Sequence, residues 1–345
     1  MTTAQSIPPL RCEPLLKTRA WGGRRLSEVG KSLPSEGLYG ESWDLADLPD
    51  SISEGRSHIA EGPFQGRTLH DLLNTHQAAI MGQVPLAATH GFPLLVKFLD
   101  AREDLSLQVH PTAAYAHEHP NSFLKSEMWY VLKADPGAKV YRGVRDDVTP
   151  EQFSEAIRNG TTLDCMVIHE VEAGDCVRLP SGICHALGAG ILVAEFQTPS
   201  DTTFRVWDWN RNDPGRPLHI EQAMDAMRFG AQQHDGGAAV IRGSAIDPVI
   251  TEGTEARRVC TMDEFTVDSI DREPGTFAIS HGNTPEVLMC TKGEGHVCSS
   301  AGKVRFRTGD VVLVPATSDE AAVESAGPLQ FLHAHLPAVP GKLLA

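Results

Sequence analysis

The sequence predicts a mainly β protein built as two small barrels with a few added helices. Three observations predict it. Short apolar runs of strand length recur along the chain, separated by Gly, Pro, Asn and Asp turn signals. The segment Gly174-x5-Pro180 returns as Gly309-x5-Pro315, the mark of an internal repeat. Polar residues two apart, Gln108 with His110 and Lys125 with Glu127, share a strand face because alternate side chains point the same way.

The chain has 345 residues, enough for two domains, and 41% hydrophobic residues, enough for a sizeable core. A net charge of −15 disfavours nucleic acid and anionic membranes as partners. A phosphosugar remains possible, since only the field in a cleft matters. No apolar run is long enough to span a bilayer, and the start does not resemble a signal peptide. The 7 Cys residues are scattered, which fits reduced thiols in the cytoplasm and not a disulfide framework.

In chain order, residues 1–20 begin as an extended arm, with a possible strand from Leu10 to Trp21. Gly40–Leu45 reads as a short strand. Thr68 to Met81 carries Leu69, Leu72, Leu73 and Ile80 at helical spacing, between a Thr cap and Gly82. Phe92–Asp100 is a buried strand. Residues 111–121 are expected as loop, with His117 and His119 as loop residues near the site mouth. Trp129–Lys133 and Lys139–Gly143 suggest a hairpin around Asp135-Pro136-Gly137-Ala138. Thr149-Pro150-Glu151-Gln152 opens a helix that Gly160 ends. Ile191–Gln197, carrying Glu195, and Thr202–Trp209, carrying Arg205, are expected as adjacent strands. His219–Phe229 is a helix, and Gln232–Gly237 a linker.

The expected division is a metal-binding catalytic domain over 1–235 and a second, metal-free barrel over 240–345. In the second part nine short strands follow: Arg258–Cys260, Phe265–Ile270, Thr276–Ser280, Glu286–Cys290, Gly295–Ser299, Lys303–Arg307, Val311–Val314, Ala321–Glu324 and Leu329–Ala334. The repeat at Gly309 lacks the later glycine and histidine of the first copy: Thr317 and Glu320 stand there. His333 and His335 share a strand face without evident partners, so this barrel reads as structural.

If the strands of the first part curl into a barrel, Gln108, His110, Glu127 and His185 converge inside it. Two imidazoles, a carboxylate and an amide oxygen suit a divalent metal such as zinc, with a coordination position left open. The spacing Gly174-x5-Pro180-x-Gly182-x2-His185 is similar to the second signature segment of the cupin barrels, a jelly-roll type. The wider set resembles one family, the type I mannose-6-phosphate isomerases, in their short bacterial branch. It comprises Trp21-Gly22-Gly23, Gly40-Glu41-Ser42-Trp43, Pro93 to Asp100, Ser106 to Pro111, Lys125 to Tyr130, Pro180 to Leu187 and Ser200 to Arg211.

The resemblance implies that His110, Glu127 and His185 are zinc ligands, one ion per chain, with Gln108 a fourth. It places Arg205 on an active-site arginine and Lys125 and Glu195 on further active-site positions. The implied reaction is aldose–ketose isomerisation of a phosphosugar through an enediol, with mannose 6-phosphate and fructose 6-phosphate as the pair. The alternatives are an isomerase for another sugar or sugar phosphate, an iron-dependent cupin oxygenase, and a non-enzymatic sugar-sensing or metal-storing protein with two such barrels. Oligomeric state, monomer or weak dimer, is not legible in the residues.

Overall fold

A computed structural model of the chain describes residues 6–338 apart from 212, 252, 280 and 281. Four antiparallel sheets make two barrels. In the first, a seven-stranded sheet runs in the order Val240–Ile241, Cys176–Leu179, Glu127–Ala134, Ile191–Gln197, Leu95–Ala101, Tyr39–Leu45, Leu15–Gly23. It faces a five-stranded sheet ordered Phe204–Trp207, Leu107–Val109, His185–Leu187, Lys139–Val144, Met166–Glu170. Trp129, Val131, Val177, Leu179 and Val193 of the first sheet meet Val140 and Leu187 of the second in the barrel interior.

The second barrel repeats the plan. Its seven-stranded sheet is ordered Leu10–Arg11, Val311–Val314, Glu286–Lys292, Leu329–His335, Thr266–Arg272, Thr254–Thr261, Val249–Thr251. A four-stranded sheet of Gly275–Ala278, Ala322–Ser325, Glu294–Ser299 and Gly302–Arg307 covers it. Strands thus occupy all nine segments expected here; Ser280, the end of one expected strand, lies outside the described residues.

The two seven-stranded sheets share one core on their outer faces. Val96, Phe98, Met128, Ala194 and Phe196 join Val267, Val287, Met289, Leu313 and Leu332, with the helix Leu69–Met81 at its edge. Leu95–Ala101 and Ile191–Gln197 are therefore buried along their whole length, as their apolar runs require. Short edge strands also cross over. Leu10 and Arg11 pair with Leu313 and Val312 of the second barrel, and Val240 and Ile241 with Val177 and Cys176 of the first.

The helices follow their caps. Thr68 and Asp71 form a reciprocal capping box at the start of Leu69–Met81, and Thr149 and Gln152 do the same for Pro150–Asn159. The helix expected from His219 runs over Ile220–Ala226 only. Three expectations fail. The segment after His110 is not all loop: Thr112 caps a short helix, Ala113–Glu118, through Tyr115 N. The turn at Asp135 forms, but its flanking strands enter opposite sheets instead of pairing as a hairpin. The Glu195 and Arg205 strands are likewise split between the two sheets. Local turn chemistry signals a change of direction but cannot say which sheet the chain enters next.

Candidate metal centre

Strand register builds the site. In the five-stranded sheet His185 lies opposite Gln108, and Gln108 opposite Arg205, so the three form a row on the inner face. His110 follows at the end of the Gln108 strand. Across the barrel Glu127 opens its strand, with Lys125 two residues before it. The ring centroids of His110 and His185 are 4.9 Å apart. One donor atom each from His110, Glu127 and His185 lies within 4.8 Å of the others, and all three side chains are buried.

The turn before His185 needs its glycine. Gly182 has φ +83°, and its backbone N–H donates to the His110 carbonyl at 3.1 Å, tying the two ligand segments together.

Each imidazole is oriented by its Nδ1. That of His110 lies 2.9 Å from the Thr202 carbonyl, and that of His185 lies 2.8 Å from the Ile183 carbonyl. A carbonyl only accepts, so each Nδ1 donates and each Nε2 presents a lone pair. Burial first, then the Lys125 ammonium, push the His110 pKa down to about 3, so the ring is neutral at pH 7. Burial opposes ionisation of Glu127, but Lys125 and His110 outweigh it and hold its pKa well below the usual carboxylate range.

Glu127 Oε1 lies 3.1 Å from His185 Nε2, and Oε2 lies 3.4 Å from His110 Nε2 and 2.9 Å from Lys125 Nζ. These contacts are close in distance but not in hydrogen-bond geometry, and both oxygens lack a partner of that kind among the described residues. Lys125 Nζ also lies 3.0 Å from His110 Nε2, and the two imidazole nitrogens with the carboxylate between them make a donor set that fits a divalent cation. The Gln108 amide reaches the same place: one end is 3.4 Å from His185 Nε2 and the other 3.2 Å from Ser106 Oγ. Turning the amide end for end puts an acceptor oxygen towards the group.

A cavity of about 450 Å³ opens over the group, lined by Lys97, Gln108, Lys125, Glu127, Glu195 and Arg205 among others. Arg205 makes no ion pair among the described residues, and its Nε has no hydrogen-bond partner among them. The neighbouring arginines are occupied, Arg19 by Glu41 at 2.6 Å and Arg216 by Asp208 at 2.7 Å. Burial and Arg216 lower the Arg205 pKa, yet a guanidinium stays charged at any working pH. Glu195 lines the same cavity, buried, with Lys97 Nζ 3.7 Å from its Oε2. Burial raises its pKa to about 8; Lys97 opposes the shift and Glu127 adds to it.

Every residue expected at the site meets there. His117 and His119 are not among the residues that line the cavity: His117 lies on the short helix Ala113–Glu118, and His119, just past its end, stacks on Tyr115 with centroids 4.0 Å apart. Sequence reasoning missed Lys97 and Glu41 as site residues: they line the cavity and pair at 3.5 Å, and Lys97 also pairs with Glu195. A signal existed. A lysine inside the run Leu94 to Leu99 puts a charge on a strand buried on both faces, and such a charge needs partners.

The family described as "Phosphomannose isomerase type I, catalytic domain" matches residues 10–143. The mannose-6-phosphate isomerase of Streptococcus mutans is 38% identical over 313 residues, 90% of this chain and 93% of that one. Mannose-6-phosphate isomerase ManA of Bacillus subtilis is 31% identical over 315 residues, 89% and 93% of the two chains. The crystal structure of a mannose 6-phosphate isomerase from Bacillus subtilis superposes with a TM-score of 0.81 at 28% identity, covering 96% of this chain and 100% of that one. With identity at this level over nine-tenths of its length, and the same two-barrel cupin architecture, the chain belongs to the type I mannose-6-phosphate isomerase family.

Proposed function

We propose that the chain interconverts mannose 6-phosphate and fructose 6-phosphate at the 450 Å³ cavity. The observation that carries this is the Arg205 guanidinium, without an ion pair among the described residues, in register with the row that holds His185, beside the buried His110–Glu127–His185 group. A proton must leave C2 of the aldose and return at C1, and the intermediate enediolate carries negative charge on oxygen. Zinc is the ion assigned here, because two imidazoles, one carboxylate and an open position are a donor set used for catalytic zinc. When bound, it supplies a Lewis acid beside the sugar's O1 and O2.

The chain's own residues supply the rest. Arg205 binds an oxyanion, the enediolate or the substrate phosphate, through its planar fork. Lys125 supplies a point charge beside the same oxygens. Glu195 Oε2, buried and without a hydrogen-bond partner among the described residues, is positioned to hold the migrating proton. All of these residues precede position 235, which supports reading 1–235 as the catalytic part and 240–345 as its companion. Seven free cysteines support a reducing compartment, the cytoplasm. Among the described residues no helix is long and apolar enough to cross a membrane.

The test is removal and return of metal. Chelated protein is expected to lose mannose 6-phosphate turnover and regain it with zinc. Full turnover by metal-free protein, established by elemental analysis, overturns the assignment.

A further inference from the structure

The two seven-stranded sheets match strand for strand, and their register identifies which positions correspond. Glu127 pairs with Leu179, the residue before Pro180; Glu286 pairs with Val314, the residue before Pro315. Glu127 also pairs with Gln197, and Glu286 with His335. Glu195 lies opposite Lys97, and His333 opposite Asp268. Glu286 therefore stands in the second barrel where Glu127 stands in the first. His335, His333 and Asp268 take the places of Gln197, Glu195 and Lys97. The expectation that His333 and His335 lack partners is corrected by this register. Their carboxylate lies on a distant strand that only the sheet brings alongside.

We propose that Glu286, His333 and His335 form a second binding site, for a first-row divalent transition-metal ion, inside the C-terminal barrel. One donor atom each lies within 4.8 Å of the others. Glu286 Oε2 is 3.1 Å from His333 Nε2 and 2.7 Å from His335 Nδ1. His335 Nε2 lies 3.1 Å from Asp268 Oδ2 and Nδ1 lies against Glu286, so the ring meets a carboxylate at each nitrogen: Nε2 donates to Asp268, and Nδ1 donates to Glu286 until a bound cation displaces its proton. With that proton displaced, Glu286 Oε2, His333 Nε2 and His335 Nδ1 are three donors within reach of one cation, which takes the proton's place as the counter-charge.

Among the described residues the only ion-pair partners of Glu286 are these two histidines. Glu286 and His333 are 2% and 4% exposed, and Glu286 Oε2 and His333 Nε2 have no partner of hydrogen-bond geometry among the described residues. A buried carboxylate without a counter-charge costs several kcal/mol, so the site requires either a bound cation or an extra proton. Imidazole donors select the transition metals over magnesium or calcium. The His335 side chain is 29% exposed, which leaves an entry path from solvent. The position that matches His185 is Glu320, an exposed residue, so the second site draws its histidines from one strand instead.

The experiment counts ions in the full-length chain. Protein stripped by a chelator is reloaded with Co2+, desalted and analysed for bound metal and by visible absorption. The expected result is about two ions per chain in the wild type and about one in each of H185A, H333A and E286Q, with nitrogen and oxygen ligation at the second site. H335A, at the most open of the three positions, is the variant to read if H333A or E286Q fails to fold. Isomerase turnover should survive in E286Q and H335A and fail in H185A, which separates this site from the catalytic one. The proposal is overturned by about one ion in the wild type that disappears in H185A, by two ions retained in E286Q or H335A, or by a thiolate absorption band on the second ion. One ion per chain would mean that a proton on His335 supplies the charge.

Discussion

Arg205 and Glu41 both line the cavity and answer to different physics. Arg205 makes no ion pair among the described residues, and its value lies in its fork. Arg205→Lys keeps the charge but loses the two-pronged contact, so kcat should fall about 10²- to 10³-fold with metal content unchanged. Steady-state kinetics and elemental analysis on one preparation read both, and unchanged kcat removes Arg205 from the reaction. Glu41 is fully engaged: Arg19 at 2.6 Å, Trp43 Nε1 at 2.6 Å and Lys97 at 3.5 Å. Burial opposes its charge, but Lys97 and Arg19 outweigh burial and lower its pKa from 4.5 to about 2. A carboxyl depressed in the folded state contributes stability above its unfolded value, and loses it as pH falls through the folded value. Glu41→Gln should therefore cost about 3 kcal/mol at pH 7, with the gap to wild type closing as pH falls from 4.5 towards 2. Urea unfolding between pH 7 and 3 measures it, and a pH-independent gap contradicts the linkage.

The turn at Gly182 shows what one element contributes. A Cβ added there would stand 2.9 Å from the Ala226 carbonyl oxygen and 2.8 Å from Thr112 Cγ2, in a left-handed conformation at φ +83°. Gly182→Ala should destabilise the fold by about 1–3 kcal/mol. It should also weaken metal retention, because the turn carries the hydrogen bond to His110. Thermal melts with and without zinc separate the two effects, and a variant that keeps both stability and metal shows that the turn tolerates a side chain. At this scale much was legible beforehand. The helix caps at Thr68 and Thr149, the nine strands of the second barrel and the Pro180 to Gly182 turn rest on residues a few positions apart. The short helix after Thr112 escaped notice because six residues give too little periodicity to read.

The whole molecule is held by two sheets packed back to back and by an arm that crosses between barrels. Ile7 and Leu10 are buried, and Leu10 pairs with Leu313 on the edge of the second barrel's sheet. Leu10→Ala should cost about 2–5 kcal/mol, the range for a buried leucine that leaves a cavity. A loss below about 0.5 kcal/mol in chemical denaturation would mean that the arm contributes little to this edge. The arm also protects Val311–Val314 from pairing with another chain, an exposure that otherwise invites association. Neither contact was legible in the residues, because nothing near Leu10 states which distant edge it joins.

The amino-acid order by itself determined the architecture, the repeat, and the kinds of side chain that meet at the first centre. Each of those follows from alternation along a strand or from spacing within one motif. Only the tertiary structure decided which chemistry faces which. It set Glu127 against two imidazoles, paired Lys97 with Glu195, sent the Asp135 turn between sheets, and brought Glu286 to His333 and His335. The reason is that register between distant strands is fixed by the packing of whole sheets, and no short stretch of chain carries that information.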